Sequence, residues 1–378
     1  MHRAGCRFGV RSVSITRVDV RQLRNLSSVS VEPSPGLNVL VGENGSGKTS
    51  FLEAIYLLGH GRSFRGNRLS PLLQYGADQF TLFLRFENGQ SIGLTKGSKL
   101  RDRVLKYNGE LQKGWQDVAT ALPVQLFNND SFSLLDGGGR VRRQFLNWGV
   151  FHVEHHFLRH WRQQQQALKQ RNALLKARDA DKSFVQRLAP WTEQFCAHSE
   201  LVSKYRQEYV GRLIKELEAC LPALLPSIAE QLTVEYHPGW DVTRSLLEIL
   251  DEAFDRERRY GSTQFGPHRA DLLLRVEGQA ASDVLSRGQQ KLLASALKLA
   301  QIRIQKEHGA HQLIILIDDL AAELDTNNAA RLLDILLAEN LQTFATAVTE
   351  KDIPEITEAH IATRTRKFHV EHGKIREI

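Results

Sequence analysis

Residues Gly42-Glu43-Asn44-Gly45-Ser46-Gly47-Lys48-Thr49 fit the pattern G-x-x-x-x-G-K-[ST] without a gap. The flanks agree with it. Leu37–Val41 reads as a short buried strand, and Ser50–Leu58 as a helix with Phe51, Ile55 and Leu58 on one face. Strand, glycine loop and helix together aim backbone N–H groups and a helix N-terminus at a polyphosphate. Lys48 is placed to meet the β and γ phosphates as a point charge, and the Thr49 hydroxyl to ligate Mg²⁺. The motif points to ATP or GTP and commits this part of the chain to an α/β fold.

A second motif completes the first. Leu313–Ile317 is an apolar run that ends in Asp318-Asp319. A buried strand delivering two carboxylates suits a metal-assisted phosphoryl site. Asp318 would hold Mg²⁺ opposite Thr49, and Asp319 would orient or deprotonate the attacking water. Taken alone, the pair also fits an ordinary strand end with two solvated acids.

Between them lies Leu285-Ser286-Arg287-Gly288-Gln289-Gln290-Lys291. Ser286 is placed to N-cap the helix that follows. A Ser-x-Gly-Gln start also offers an anion a hydroxyl, backbone N–H groups and a helix dipole, through Ser286, Gly288 and Gln289.

Between these motifs the character of the chain changes. The first third reads as β-rich, with Val13, Ile15, Val18 and Val20 on the buried face of one strand. Asn88-Gly89 and Asn108-Gly109 each sit between apolar runs and predict type I′ hairpins. From about Gly139 to Tyr260, apolar residues recur at helical spacing: Trp161, Leu168 and Leu175, then Trp191, Phe195, Val202, Tyr205, Tyr209, Leu213 and Leu217. The last third returns to α/β, with strands at Asp271–Val276, His311–Ile317 and Thr343–Val348 and helices at Gly288–Gln305 and Asn328–Leu337. The expected division is therefore residues 13–135 as the first part of an ATPase lobe, 136–260 as an inserted helical lobe, and 261–378 as the second part of the ATPase lobe.

Composition narrows the partners. At 42% hydrophobic and 25% charged, the chain can bury a core, and its net charge of +7 favours an anionic partner. Arg140, Arg142, Arg143, Arg159, Arg162, Lys169, Arg171, Lys176 and Arg178 gather at the start of the helical region. They read either as a face that neutralises DNA phosphates or as a solvated basic helix. Cys6, Cys196 and Cys220 form no C-x-x-C pair and suit a reducing cytoplasm. Met1–Ser12 has no apolar stretch of a signal peptide, and no run is long enough to span a membrane. Among His152, Glu154, His155, His156 and His160, the pairs His152/His156 and His156/His160 share helical faces, but no Cys or further acid is positioned to complete a metal site.

The order of these motifs, with Glu323-Leu324-Asp325 after Asp319, resembles an ABC-type ATPase head. The finer resemblance is to the RecF family of bacterial recombination mediators, and it covers nearly the whole chain. It is carried by Leu23-Arg24-Asn25-Leu26, the phosphate loop, Gly61-Arg62-Ser63-Phe64-Arg65, Arg142–Gly149, Gln264–Leu272, Leu285–Lys291 and Asp318-Asp319-Leu320. The resemblance implies a P-loop ATPase head with an antiparallel β-subdomain and an inserted α-helical lobe. Its cofactors would be ATP and Mg²⁺. Ser286 of one copy would cap the γ-phosphate held by another in a head-to-tail dimer. It also implies sequence-nonspecific binding to duplex and gapped DNA, and help from RecR- and RecO-type mediators in loading RecA. An ABC transporter subunit and an SMC-like DNA-tethering head are the alternatives. Transporters carry Glu where this chain has Asp319, so hydrolysis should be slow. They also carry a His after the next strand, where Thr346 is the nearest polar candidate. Gln125, Asn128 and Asn129 lie where a glutamine-bearing loop is expected.

Overall fold

A computed structural model describes residues 13–66, 69–99, 102–129, 133–177, 183–309, 313–319, 324–353 and 365–378. Met1–Ser12, Arg178, His311, Leu320 and Glu323 lie outside the described residues. The chain forms two compact units, Met1–Ser131 with Lys306–Ile378, and Phe132–Gln305. Residues 261–305, expected with the second part of the ATPase lobe, fold with the helical unit instead.

The first unit contains two six-stranded sheets. One is antiparallel and built from β1 (Ile15–Leu23), β2 (Leu26–Val31), β4 (Gln79–Phe86), β5 (Ser91–Gly97), β6 (Arg103–Tyr107) and β7 (Glu110–Leu111), in the order β2-β1-β4-β5-β6-β7. Ile15, Val18 and Val20 are all buried in β1, although Ile15 and Val18 are three residues apart. A register shift between Ile15 and Arg17 against β4 absorbs the odd residue. The Asn108-Gly109 turn is type I′, with φ of 51° and 84°. The Asn88-Gly89 turn is not. Only Gly89 has positive φ, and the Phe86 N–H bonds to Gln90 O at 2.9 Å while the Gly89 N–H bonds to Phe86 O at 3.0 Å. This is a three-residue loop with a glycine bulge, one residue longer than the dipeptide signal implied.

The second sheet holds β3 (Leu37–Val41), β8 (Val124–Phe127), β12 (Ile314–Ile317), β13 (Thr343–Ala347), β14 (Thr365–Glu371) and β15 (Lys374–Glu377), in the order β15-β14-β3-β13-β12-β8. All neighbours run parallel except β14 and β15. Every residue of β3, β8 and β12 is buried, and apart from Asn38 and Gln125 all of them are apolar, as strands covered on both faces require. Two strands from early in the chain thus sit in one sheet with strands from its end. Gln342 ties the two sheets together. Its side chain accepts from Ile15 N–H at 2.8 Å and donates to Ile15 O and Ser34 O at 2.8 and 2.7 Å. The helix Lys48–His60 is buried over nearly its whole surface, beyond the single face expected, because residues of both sheets share one core with it.

The second unit is built on the helices Gly138–Val153, Phe157–Ala177 and Phe184–Leu224. The last has 41 residues, about 60 Å of helix, and runs through Pro190 and Pro222. A three-stranded sheet, β9 (Leu232–His237), β10 (Asp271–Val276) and β11 (Gln279–Ala280), takes the order β11-β10-β9. Arg171 is buried within this unit. Its guanidinium donates to Glu257 Oε2 at 2.6 Å, Thr263 Oγ1 at 2.7 Å and Thr192 Oγ1 at 3.0 Å. The Arg171 and Glu257 side chains are 1% and 0% exposed. With Nε, Nη1 and Nη2 each donating, the pair fixes three segments in one register, although a buried pair adds little net stability by itself. Removing one partner is different, because it strands the other charge. Glu257→Ala is expected to destabilise this unit by about 3–5 kcal/mol, read as a lowered urea midpoint, whereas replacing both residues by apolar ones should cost much less.

Candidate nucleotide-binding site

β3 delivers the chain to the phosphate loop at the centre of the parallel sheet. The Gly42 N–H still donates to Ala347 O of β13 at 3.3 Å, so the loop departs from a fixed point. Two glycines are required by packing. A Cβ on Gly42 would lie 2.1 Å from Val370 O. Gly47 has φ of 125°, and a Cβ there would lie 2.8 Å from Leu26 Cδ2. The Asn25 side chain clamps the loop from outside, donating to Gly45 O at 2.8 Å and accepting from Ser50 Oγ at 2.9 Å. Gly373 N–H holds Ser46 O at 2.9 Å.

The loop fits a bound polyphosphate. Gly47 begins the helix Lys48–His60 with no side-chain cap, so the first N–H groups face the cradle unclaimed by side chains. Ser46 is 8% exposed, yet its hydroxyl has no hydrogen-bond partner. A buried orphan hydroxyl is costly unless a ligand satisfies it. Lys48 Nζ folds back onto Gly42 O at 2.5 Å and Glu43 O at 3.0 Å. Those neutral carbonyls are weak partners for a buried ammonium, and burial lowers the Lys48 pKa against the opposing pull of Asp319 and Asp318. An anion in the loop would be the stronger partner.

The second motif meets the first directly. Thr49 Oγ1 donates to Asp318 Oδ1 at 3.0 Å, and Thr346 Oγ1 donates to the same oxygen at 2.9 Å. Asp319 N–H in turn donates to Thr346 Oγ1 at 2.9 Å. Thr346 therefore organises the two carboxylates, and its hydroxyl is already used on both sides. Asp319 has φ of 57°, unusual for a residue with a side chain. Thr49 and Asp318 are the residues that would hold Mg²⁺. Among the described residues no group of three or more His, Cys, Asp or Glu could hold a metal ion. His160 of the histidine run instead faces His198, Nδ1 to Nδ1 at 3.1 Å.

Sequence reasoning passed over a layer behind the loop. Glu53, fully buried, accepts from Arg24 at 2.5 and 2.9 Å and from the Ser63 hydroxyl. Ser63 Oγ accepts the Arg65 N–H at 2.9 Å. Arg24 and Ser63 stood inside the quoted motifs, but only a charged residue on an apolar helix, Glu53, signalled their partner. Gln125 lies within β8, paired with Ile315, and so belongs to no loop.

The signature serine has its bland role as well. Gln289 N–H donates to Ser286 Oγ at 3.3 Å, and Ser286 N–H to Gln289 Oε1 at 2.9 Å, a reciprocal cap. Ser286, Arg287 and Gly288 remain exposed. The proposed DNA contacts separate. Arg142 is committed to Asp271 at 2.7 and 2.8 Å and to Leu135 O, Arg143 donates to Ala270 O at 2.7 Å, and Arg171 is buried. Arg140, Arg159, Arg162, Lys169 and Lys176 are exposed. The last four lie three and seven residues apart, one stripe along the helix Phe157–Ala177.

The profile of the RecF/RecN/SMC N terminal domain family matches residues 14–370. The chain is 41% identical over 370 residues to the protein named DNA replication and repair protein RecF of Stutzerimonas stutzeri, covering 97% of this chain and 98% of that one. It is 42% identical over 369 residues to its namesake in Pseudomonas fluorescens, covering 96% and 98%. The chain belongs to the RecF family. Its fold also matches a solved structure described as the recombination mediator protein RecF-ATP in the RecFOR pathway. That match has a TM-score of 0.86 at 23% identity, covering 99% of this chain and all of the other. An Smc head domain from Pyrococcus furiosus shares the fold more distantly, with a TM-score of 0.55 at 14% identity and 97% and 96% coverage. The RecF fold is thus the ABC-type head expected, with mixed antiparallel and parallel sheets. No helix of this RecF-family chain, among the described residues, is long and apolar enough to cross a membrane.

Burial raises the Asp318 pKa above the ordinary carboxylate value, while the Thr346 and Thr49 hydroxyls oppose it and Asp319 adds to it. The folded chain therefore holds the proton more tightly than the unfolded one, and stability is lost as pH rises through the folded pKa. Without nucleotide, Asp318→Asn should melt above the unsubstituted protein at pH 7. The gap should close as pH falls towards the ordinary carboxylate range. A gap that widens on acidification would contradict this assignment.

Proposed function

We propose that the chain is a cytoplasmic ATP-dependent DNA-binding protein of recombinational repair and replication restart. The observation that carries this is the junction of Thr49 and Asp318 at the mouth of a loop holding Lys48 and an orphaned Ser46 hydroxyl. The names of the 41–42% identical relatives support the setting in DNA replication and repair.

In this reading, Gly42 to Thr49 cradle the phosphates of ATP through backbone N–H groups, Lys48 and Ser46. Thr49 and Asp318 would hold Mg²⁺, which would supply neutralisation of the phosphate charge. Asp319 orients water. Its short carboxylate and constrained backbone suit slow hydrolysis, a timer more than an engine. The exposed Ser286, Arg287 and Gly288 cap the γ-phosphate held by a second copy, so ATP closes a head-to-tail dimer. The basic stripe Arg159, Arg162, Lys169 and Lys176, with Arg140, contacts duplex DNA near single-strand gaps through its phosphates. RecR- and RecO-type mediators would then share in loading RecA.

Lys48→Ala should lose ATP binding by isothermal titration; normal affinity would remove the phosphate-loop assignment. Ser286→Arg should still bind ATP but fail to dimerise with it in light scattering. Ser286→Ala, which loses the helix cap but leaves room, should dimerise. A Ser286→Arg variant that dimerises normally would refute capping in trans. For DNA, Arg159→Ala with Lys169→Ala should weaken binding and flatten the salt dependence by about two in log–log slope. Arg142→Ala should instead lower thermal stability, since its guanidinium holds Asp271.

A further inference from the structure

The ladder between β12 and β13 ends with Ile317 opposite Ala345. The next residues, Asp318 and Thr346, come level where the two strands stop. Asp318 N–H still continues the ladder on the other side, donating to Phe127 O of β8 at 2.8 Å. Backbone groups alternate along a strand, so the Asp319 N–H turns to the β13 side. There it meets a side chain in place of a backbone carbonyl, and donates to Thr346 Oγ1 at 2.9 Å. At Asp319 the backbone takes φ of 57°, a conformation that a residue with a side chain keeps only when its surroundings hold it.

Thr346 is 4% exposed, and its hydroxyl is committed to protein groups. Its one hydrogen goes to Asp318 Oδ1 at 2.9 Å, and its oxygen takes the Asp319 N–H. No proton is left for a phosphate oxygen. Thr49 reaches the same Asp318 oxygen at 3.0 Å, so Asp318 has a second hydroxyl to hold it. The Asp319 N–H relies on Thr346.

The next residue of β13 carries the link to the phosphate loop. Ala347 O accepts the Gly42 N–H at 3.3 Å, where the loop leaves β3. Two consecutive residues therefore hold the start of the loop and both carboxylates.

We infer that Thr346 is a positioning residue for ATP hydrolysis, whose hydroxyl fixes the backbone of Asp319 and so the direction of the carboxylate that orients water. This role deepens the reading proposed above and rests on it. A side chain without a hydroxyl at this position leaves the Asp319 N–H without its acceptor at the end of the strand. The φ of 57° then loses the contact that holds it, and the carboxylate leaves its place. A small misplacement of a group that orients a reactant is enough to slow a reaction. Asp318 keeps the Thr49 hydroxyl, and Lys48 and the N–H groups of the loop lie outside the change, so ATP affinity holds.

The test compares Thr346→Val, which keeps the branched shape and loses the hydroxyl, with Thr346→Ser, which keeps the hydroxyl. Thr346→Ala replaces Thr346→Val if the latter does not fold. In the full chain without nucleotide, amide exchange at Asp319 should speed up about tenfold or more in Thr346→Val and stay slow in Thr346→Ser. Isothermal titration should give both variants an ATP affinity within about threefold of the unsubstituted chain. Single-turnover hydrolysis of radiolabelled ATP, with Mg²⁺ and with protein in excess, should slow about tenfold or more in Thr346→Val and recover in Thr346→Ser. The role is overturned if Thr346→Val hydrolyses ATP normally, if Asp319 exchange is unchanged, or if ATP affinity falls in step with hydrolysis. It is equally overturned if Thr346→Ser is as slow as Thr346→Val, because shape and not the hydroxyl would then matter. An unsubstituted chain that binds ATP without hydrolysing it overturns this role and leaves the phosphate loop assigned, whereas one that binds no ATP overturns the reading beneath it as well.

Discussion

One carboxylate oxygen, Asp318 Oδ1, receives both the Thr49 and the Thr346 hydroxyls. Three segments meet there: the helix after the phosphate loop, the end of β12, and β13. The contact is possible only because β3, β13 and β12 are adjacent parallel strands whose carboxyl ends open on one edge. Ligands bind at that edge in open α/β sheets because loops and helix N-termini converge there. Thr346 fixes the carboxylate pair through its hydroxyl, and the pair fixes where a metal could sit. If the strand order changed, Thr49 and Asp318 would be far apart and neither motif would have a function.

The antiparallel sheet supports this edge from the side. Asn25, in the turn between β1 and β2, holds the loop at Gly45 and Ser50. Its neighbour Arg24 holds Glu53, and Glu53 holds Ser63 ahead of Arg65. Arg65 stands close enough to Asp318 to oppose the rise in its pKa. The β1–β2 turn, the helix and the segment after it are thus one hydrogen-bonded unit behind the phosphate cradle. In the second unit the Arg171–Glu257 pair plays the corresponding part, fixing helices and the segment at Thr263 with buried charge.

Much of this was legible in the residues because local chemistry is sufficient there. A glycine loop with lysine and threonine has few alternative structures, and all-apolar runs such as Leu313–Ile317 have few places but the interior of a parallel sheet. Asn108-Gly109 formed its turn as its own φ preferences require. Asn88-Gly89 did not, since the loop was closed by Gln90 and by the Glu87 N–H bond to Ser14 O, a contact 73 residues away. The basic residues of the helical region were legible as charge but not as role. Arg142, Arg159 and Arg171 are chemically alike, and one pairs with Asp271, one faces solvent and one is buried against Glu257. Those partners lie 129 and 86 residues away, beyond the reach of any local pattern.

The sequence by itself determined the kind of site: a phosphate cradle, a metal-directed carboxylate and a separate capped helix start, each specified by neighbours within a few residues. It also determined membership of the RecF family, through motifs spread over nearly the whole chain. Tertiary structure alone decided which polar groups are spoken for. It gave Thr346 to the carboxylates, Glu53 to Arg24 and Arg171 to the interior. The reason is physical: a hydrogen bond or ion pair depends on distances of about 3 Å between atoms that the chain separates by tens or hundreds of residues, and only the packed sheets and helices set those distances.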